Sequence, residues 1–335
     1  MTKLRIQIAS DLHLEMFGSW KAVTRKIKGH KNFQRSAGPP LITPSAPILA
    51  LLGDIGCPAT DMESYKNFLN EMADRFEHVI VLAGNHEFYQ THWRQSAAPL
   101  TCSEIKQVIQ CLCDKRPNLH FLDRKSIVLN GIRICGATLW SDIDAHNTKA
   151  VSQSLNDYRL CYSEGKTVVP MPCLPGQEQK WKTMPVRTLT VQDTVTWHKQ
   201  DVAWLQSELE LARDEGQQCV FLTHHAPSLI NTSHPKHAGS PINSAFATSL
   251  EWMFDTQQTS SRCNEESKQM SQSNGSVAKQ QSQNPYNPLC VWAFGHTHFN
   301  TDYLSAGVRI VANQFGYVNC EPAWGYKPNF VVEVP

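Results

Sequence analysis

Apolar residues in this chain gather in short runs, each closed by small or polar residues. The runs are "LRIQIAS" (4–10), "PILALLGD" (47–54), "HVIVLAGNH" (78–86), "SIVLNGIRICGATLW" (126–140), "CVFLTHH" (219–225), "CVWAFGHTH" (290–298) and "VRIVANQ" (308–314). Brief apolar stretches bounded by turn residues read as buried strands. Two longer segments carry helical spacing instead. "DMESYKNFLNEMADRF" (61–76) repeats apolar positions at Met62, Tyr65, Phe68, Leu69, Met72 and Phe76. "HKQDVAWLQSELELAR" (198–213) does so at Val202, Leu205, Leu209 and Ala212. Strands alternating with helices predict a layered α/β fold. Gly131, inside 126–140, predicts a hairpin, so the sheets should be mixed.

Some segments break this rhythm. Residues 17–46 hold Lys21, Arg25, Lys26, Lys28, Lys31 and Arg35 and no acidic residue, and read as a basic insertion. Residues 162–190, rich in proline and polar groups, read as a long excursion. Residues 256–288 are Gln/Ser/Asn-rich and nearly free of apolar side chains. Such a stretch cannot bury enough surface to offset chain entropy, so a disordered loop is expected there.

With 335 residues and 41% hydrophobic content, the chain is expected to form a single domain carrying these insertions. Its net charge of +1 gives no strong field toward nucleic acid or membrane. No apolar run approaches the roughly 18 residues of a membrane span. "TKLRIQIAS" is short and charged, which speaks against a secretory signal. The 11 cysteines include no CxxC pair and read as reduced thiols of a cytoplasmic protein, with the nucleus also compatible. Cys111 and Cys113 fall in a predicted helix without nearby metal-binding partners.

The polar residues that close the strands carry the chemistry. In chain order they are Asp11 and His13, then Asp54, then Asn85 and His86, then His224 and His225, then His296 and His298. Loops at the C-terminal ends of strands are where open α/β sheets build sites. Gly295 lets the chain turn after its strand, and alternation in an extended chain would put His296 and His298 on one side, within reach of one metal or of two neighbours.

The ordered set "D-L-H … G-D … G-N-H-E … T-H-H … G-H-T-H" resembles the calcineurin-like metallophosphoesterase superfamily. "SDLHLE", "GNHEFY", "TLWS", "THHAPS" and "NQFGY" resemble a subgroup of predicted phosphoesterases. The resemblance implies an α/β fold, a four-layer αββα sandwich of two mixed β-sheets flanked by helices. It implies two divalent or trivalent metal ions, of Mn, Fe, Zn or Co type. One would take Asp11, His13 and His298; the other would take Asn85, His224 and His296; Asp54 would bridge them. His86 would donate a proton rather than bind metal, oriented by a carboxylate such as Asp142 or Glu87. Mixed N/O ligands suit these metals, and paired cations generate a metal-bridging hydroxide near neutral pH.

The implied activity is hydrolysis of a phosphoester, most naturally a small-molecule phosphodiester. A phosphomonoesterase or protein phosphatase is the alternative, weakened because "GDIGCPAT" stands where "GDxVDRG" is usual. A nuclease would use the basic 17–46 stretch, but no wide basic patch supports it. A non-catalytic scaffold is disfavoured, since no ligand position is lost. Among substrate-contact candidates are Asn85, His86, His225, Tyr89 and Arg94, and also Trp93, Asn156, Asp157 and Tyr158. Trp140 and Ser141 are expected to shape the inner wall. His30, His92, His146, His198, His234 and His237 are expected at the surface.

Overall fold

The computed structural model describes residues 3–18, 40–90, 99–170, 181–254, 287–317 and 325–335. Most of the basic stretch, most of the 256–288 loop, and Trp93 and Arg94 lie outside them. The described end of the basic stretch is not a solvated insertion: Leu41 and Ile42 are fully buried in the core.

Two sheets form the centre. The first runs β13 (Val331–Val334), β1 (Leu4–Ala9), β2 (Ile48–Leu51), β3 (His78–Val81), β4 (Leu119–Phe121). It is parallel except for β13. The second runs β11 (Thr301–Ser305), β12 (Val308–Ala312), β10 (Leu289–Phe294), β9 (Gln218–Thr223), β6 (Ile132–Ala137), β5 (Lys125–Leu129). Its two edge strands are antiparallel and the inner ones parallel. The predicted hairpin at Gly131 is the β5–β6 pair.

Period-2 alternation sorts the strand side chains into layers. Ile6, Ile8, Ile48, Ala50 and Ile80 from one sheet meet Ile134, Val220, Leu222, Val291 and Ala293 from the other. The opposite faces take helices. Leu49, Leu51, Val79 and Val81 pack under helices Met62–Ala73 and Cys102–Cys113, through Tyr65, Phe68, Ile105 and Ile109. Phe221, Trp292 and Phe294 pack under helix Val191–Asp214 through Leu205, Leu209 and Ala212. The order is helix, sheet, sheet, helix, as the resemblance implied. Each large apolar side chain buried in these layers contributes roughly 1.5–3 kcal/mol.

Two sequence expectations change. The 162–190 excursion is partly ordered: β7 (Tyr162–Pro170) and β8 (Trp181–Thr188) pair antiparallel as a separate ribbon. The second helix starts earlier than its apolar pattern, because Thr190 and Asp193 close a capping box at its N-terminus. β4, β11 and β13 were not anticipated; they are short, and β11 is half solvent-facing.

Candidate metal centre

Parallel strands end on one side, and the polar loops follow those ends. β1 is followed by Ser10–Leu12, β2 by Gly53–Ile55, β3 by Gly84–Glu87, β9 by His224 and His225, β10 by Gly295–His298. The loops are tied to one another. Asp11 N donates to Gly53 O at 3.1 Å, His13 N to Asp54 O at 3.0 Å, and Gly295 N to His224 O at 2.9 Å. Close approach needs glycine. A Cβ on Gly53 would lie 2.6 Å from His224 Nδ1, and one on Gly84 would strike the Asp54 carboxylate. Asp11, His13, Asp54, His296 and His298 all hold positive φ, from 47° to 71°. Non-glycine residues seldom accept that conformation, and where neighbours enforce it the position is characteristically functional.

His296 and His298 do not lie on one side of an extended strand. Both have left the strand in left-handed conformations, and their rings diverge: His296 meets His224 edge-on (5.0 Å between centroids) and His298 meets His13 edge-on (5.2 Å). Backbone reversal, rather than alternation, sends them to separate clusters.

In the first cluster, His13 Nε2 and His298 Nε2 approach to 3.1 Å, and His298 Nε2 stands 3.3 Å from Asp11 Oδ1. Asp11 is fixed by Ser10 Oγ at 2.5 Å and His296 N at 3.1 Å. In the second, His224 Nε2 is 3.0 Å from Asn85 Oδ1 and 3.3 Å from Asp54 Oδ1. His224 Nδ1 donates to Leu52 O at 2.8 Å, which leaves Nε2 facing the cluster. Asp54 lies between the two. Its Oδ1 faces His224, while its Oδ2 is 4.0 Å from His13 Nε2.

The donors suit cations. Ligand atoms of Asp11, His13 and His298, and of Asp54, His224 and His296, fall within 4.8 Å of one another in each set. His296 Nε2 is buried and has no hydrogen-bond partner among the described residues, an expensive arrangement that a metal would relieve. Burial opposes charge on Asp54, yet the neighbouring His224 and His86 hold its carboxyl well below the usual range. Burial pushes His296 and His225 well down, leaving neutral imidazoles. Burial also opposes charge on His224, but Asp54 and Asp11 raise it to about 9.

His86 stands beside this pair. Its Nδ1 is 2.9 Å from Glu15 Oε1 and its Nε2 is 3.1 Å from the Tyr317 hydroxyl. Glu15, not Asp142 or Glu87, is therefore the orienting carboxylate. Asp142 is exposed. Glu87 is turned inward, accepting from Gly84 N (2.6 Å), Asp54 N (2.9 Å) and Ile55 N (2.8 Å), and so clamps the second and third loops together. Burial and Asp54 push Glu87 up to about 8. Burial favours neutral Glu15 as well, but hydrogen bonds to His13 and His86 draw it down to about 2. His86 is disfavoured as a cation by burial, and Asp54 and Glu15 nevertheless raise it to about 9.

The centre opens into a cavity of about 1010 Å³. Asn85, His86 and Tyr89 line it, but the Tyr89 hydroxyl is engaged by Asp157 at 2.5 Å. Asp157 also accepts from Asn85 Nδ2 at 2.9 Å, which aims the amide oxygen at His224. His225 is not among the residues that line the cavity. It is buried behind His296, with ring centroids 4.0 Å apart, and packs on Trp140. Trp140 is buried as expected of an inner wall. His198, expected at the surface, is buried with Nδ1 2.9 Å from Leu139 O. His234 and His237 are exposed, yet they line the cavity mouth. Tyr317 was missed, although it closes the quoted "NQFGY". Gln314 in that stretch accepts from His298 N at 2.5 Å, and Gly316 N donates to Asp11 O at 3.0 Å, so the segment is laced along the centre.

Known proteins resemble this chain in sequence and in fold. The family model described as "Calcineurin-like phosphoesterase" matches residues 4–300. An uncharacterized protein, L509, of Acanthamoeba polyphaga mimivirus is 26% identical over 275 residues, covering 80% of this chain and 78% of that protein. The structure of a phosphopantetheinyl hydrolase from Mycobacterium tuberculosis superposes with a TM-score of 0.56 at 17% identity, over 99% of this chain and 96% of that one. A dimetal phosphatase from Danio rerio gives a TM-score of 0.41 at 11% identity, over 94% and 88%.

Proposed function

Since the chain belongs to the calcineurin-like phosphoesterases, and so to a family of metal-dependent phosphoric ester hydrolases, we propose that it cleaves phosphodiesters with two cations. Asp11, His13 and His298 would hold one; Asn85, His224 and His296 would hold the other; Asp54 would serve both. The observation that carries this reading is the placement of Asp54, with one carboxylate oxygen toward each cluster. When bound, paired cations of Mn, Fe, Zn or Co type supply an activated water and neutralise phosphoryl oxygens.

The chain's own groups do the rest. Glu15 fixes His86 through Nδ1, so Nε2 is the position from which a proton reaches the leaving-group oxygen. Tyr317 packs on His13 and His298 with centroids 4.5 and 4.6 Å away, and its hydroxyl shares the His86 Nε2 position. Asp157 and Tyr89 set the Asn85 amide. A cavity of about 1010 Å³ leaves room for groups on both sides of the scissile bond, which favours a diester over a monoester. No described helix is long and apolar enough to cross a membrane. The described cysteines are free thiols, in keeping with a cytoplasmic small-molecule hydrolase.

The test pairs bis(p-nitrophenyl) phosphate with p-nitrophenyl phosphate on protein loaded with Mn²⁺, alongside metal analysis. Faster diester turnover with two cations per chain is expected. Faster monoester turnover would turn the assignment to a phosphatase, and no metal with no turnover to a scaffold.

A further inference from the structure

Two tyrosines flank His86. Tyr89 lies 4.2 Å from it and Tyr317 5.9 Å, between ring centroids. The Tyr89 hydroxyl is committed to the buried Asp157 at 2.5 Å. The Tyr317 hydroxyl is instead 3.1 Å from His86 Nε2, the nitrogen left for chemistry once Nδ1 is held by Glu15 Oε1 at 2.9 Å. Asp54 Oδ2 stands 4.0 Å from Nε2, beyond hydrogen-bond reach. Both His86 and Tyr317 line the cavity, but His86 is buried and Tyr317 half-buried, so the tyrosine is the more accessible of the two.

Pairing with the far end of the chain holds Tyr317 in place. Ser10 and Gln314 form a parallel bridge. Phe315 N donates to Ser10 O at 3.0 Å, and Gly316 N to Asp11 O at 3.0 Å. The Tyr317 ring then lies across the first cluster, 4.5 Å from His13 and 4.6 Å from His298 between centroids. A phenylalanine would fill that space equally well, so packing does not explain the hydroxyl. A phenol hydroxyl both donates and accepts. It can accept the Nε2 proton of charged His86 on one side while it donates its own on the other. Direct donation from Nε2 to substrate would instead require this hydroxyl to move away.

We propose that Tyr317 is a catalytic residue, interposed between His86 and the substrate, and that its hydroxyl hands the leaving-group oxygen its proton. As the P–O bond breaks, its electron pair stays on the leaving oxygen, which takes the Tyr317 Oη proton. Oη takes the Nε2 proton of His86 in turn, and His86 is left neutral with Nδ1–H on Glu15. The tyrosine ends as it began, and the alcohol leaves uncharged. Such a relay serves esters of aliphatic alcohols, because an alkoxide is too basic to depart without a proton, whereas an acidic phenolate departs without one. This deepens the phosphodiesterase reading and rests on it.

Tyr317→Phe keeps the ring and removes the relay oxygen. Metal-loaded parent and variant are compared on methyl p-nitrophenyl phosphate, whose phenolate departs unprotonated, and on methyl hexyl phosphate, whose alcohols need a proton. The variant should keep the parent's metal content and slow kcat on the alkyl ester by about 10²–10⁴-fold more than on the nitrophenyl ester. A hydroxyl that only packs or orients would slow both alike. On the alkyl ester the double variant His86→Ala, Tyr317→Phe should be no slower than the slower single variant, since groups that act as a unit lose their effect together. Equal slowing of the two esters, no slowing, loss of a cation, or additive losses in the double variant each overturn the relay. A parent that cleaves the nitrophenyl ester but not the alkyl ester overturns it too. A parent that cleaves neither removes the phosphoesterase reading, and the relay with it.

Discussion

The two halves of the proposed metal centre are built differently. The Asn85–His224–His296 half is enclosed: His224 and His296 are buried, and His224 is clamped from behind by Leu52 O. The Asp11–His13–His298 half is sealed on one side only. His13 is buried, but the His298 side chain is 23% exposed and lies against Tyr317 at the cavity. The enclosed half gains rigidity, because His224 is held by Leu52 O and the Asn85 amide by Asp157. Both halves reach the cavity, one through Asn85 and His296 and the other through His298, and the second shares a wall with His86, 4.4 Å from His13 between ring centroids. The half with the buried, clamped imidazole is therefore expected to serve as the firm anchor and the half with the part-exposed His298 as the more exchangeable position.

Removing what the halves share should do the most harm. Asp54→Ala is expected to empty both positions and lower kcat/KM by more than about 10³-fold, beyond the 10–100-fold typical of outer-shell changes. Metal content and turnover check it, and a variant retaining two cations at full rate refutes the bridge. His86→Ala should keep its cations yet slow kcat by about 10²–10⁴-fold; a parent-like rate would show that the proton comes from elsewhere. Glu15→Gln should cost about 10–100-fold in kcat with the second cluster undisturbed, since it loosens His86 and His13 but not His224.

Stability tests separate the halves further. With cations at about 100 times Kd, chelation should remove about 2.7 kcal/mol per site from unfolding stability, in two steps if the open half releases first. A single step would make the halves equivalent. The smallest contrast is between His224→Ala and His298→Ala in chelated protein. The former orphans the buried Leu52 carbonyl and should cost about 1–3 kcal/mol, the latter less, because the His298 side chain already reaches solvent. Equal losses in denaturant unfolding would remove the distinction.

Much of this was legible in the chain. Apolar runs ending in Asp, Asn or His marked the strands and the side chains gathered at their ends, because burial demands apolar strands and parallel strands end together. Gly295 was readable as a turn, though not that Gly53 and Gly84 are forced by the passage of one loop against another. Expectations failed where the deciding contact spans distant segments. Glu15 and Tyr317 reach His86 from opposite ends of the chain, and His225 loses its place at the cavity because Trp140 and His296 enclose it. His198 looked like a surface residue until Leu139 supplied its partner.

The sequence alone determined the main strands and helices and the polar residues that close the strands, since periodicity and residue type are local properties written in order; the layer order and the ligand set came only with the resemblance. Only the tertiary structure decided that His296 and His298 part company and that Glu15 rather than Glu87 serves His86. It also decided that a basic turn near residue 235 faces the same cavity. Each depends on backbone reversals and on distances between segments hundreds of residues apart, which packing of the two sheets sets and no local pattern encodes.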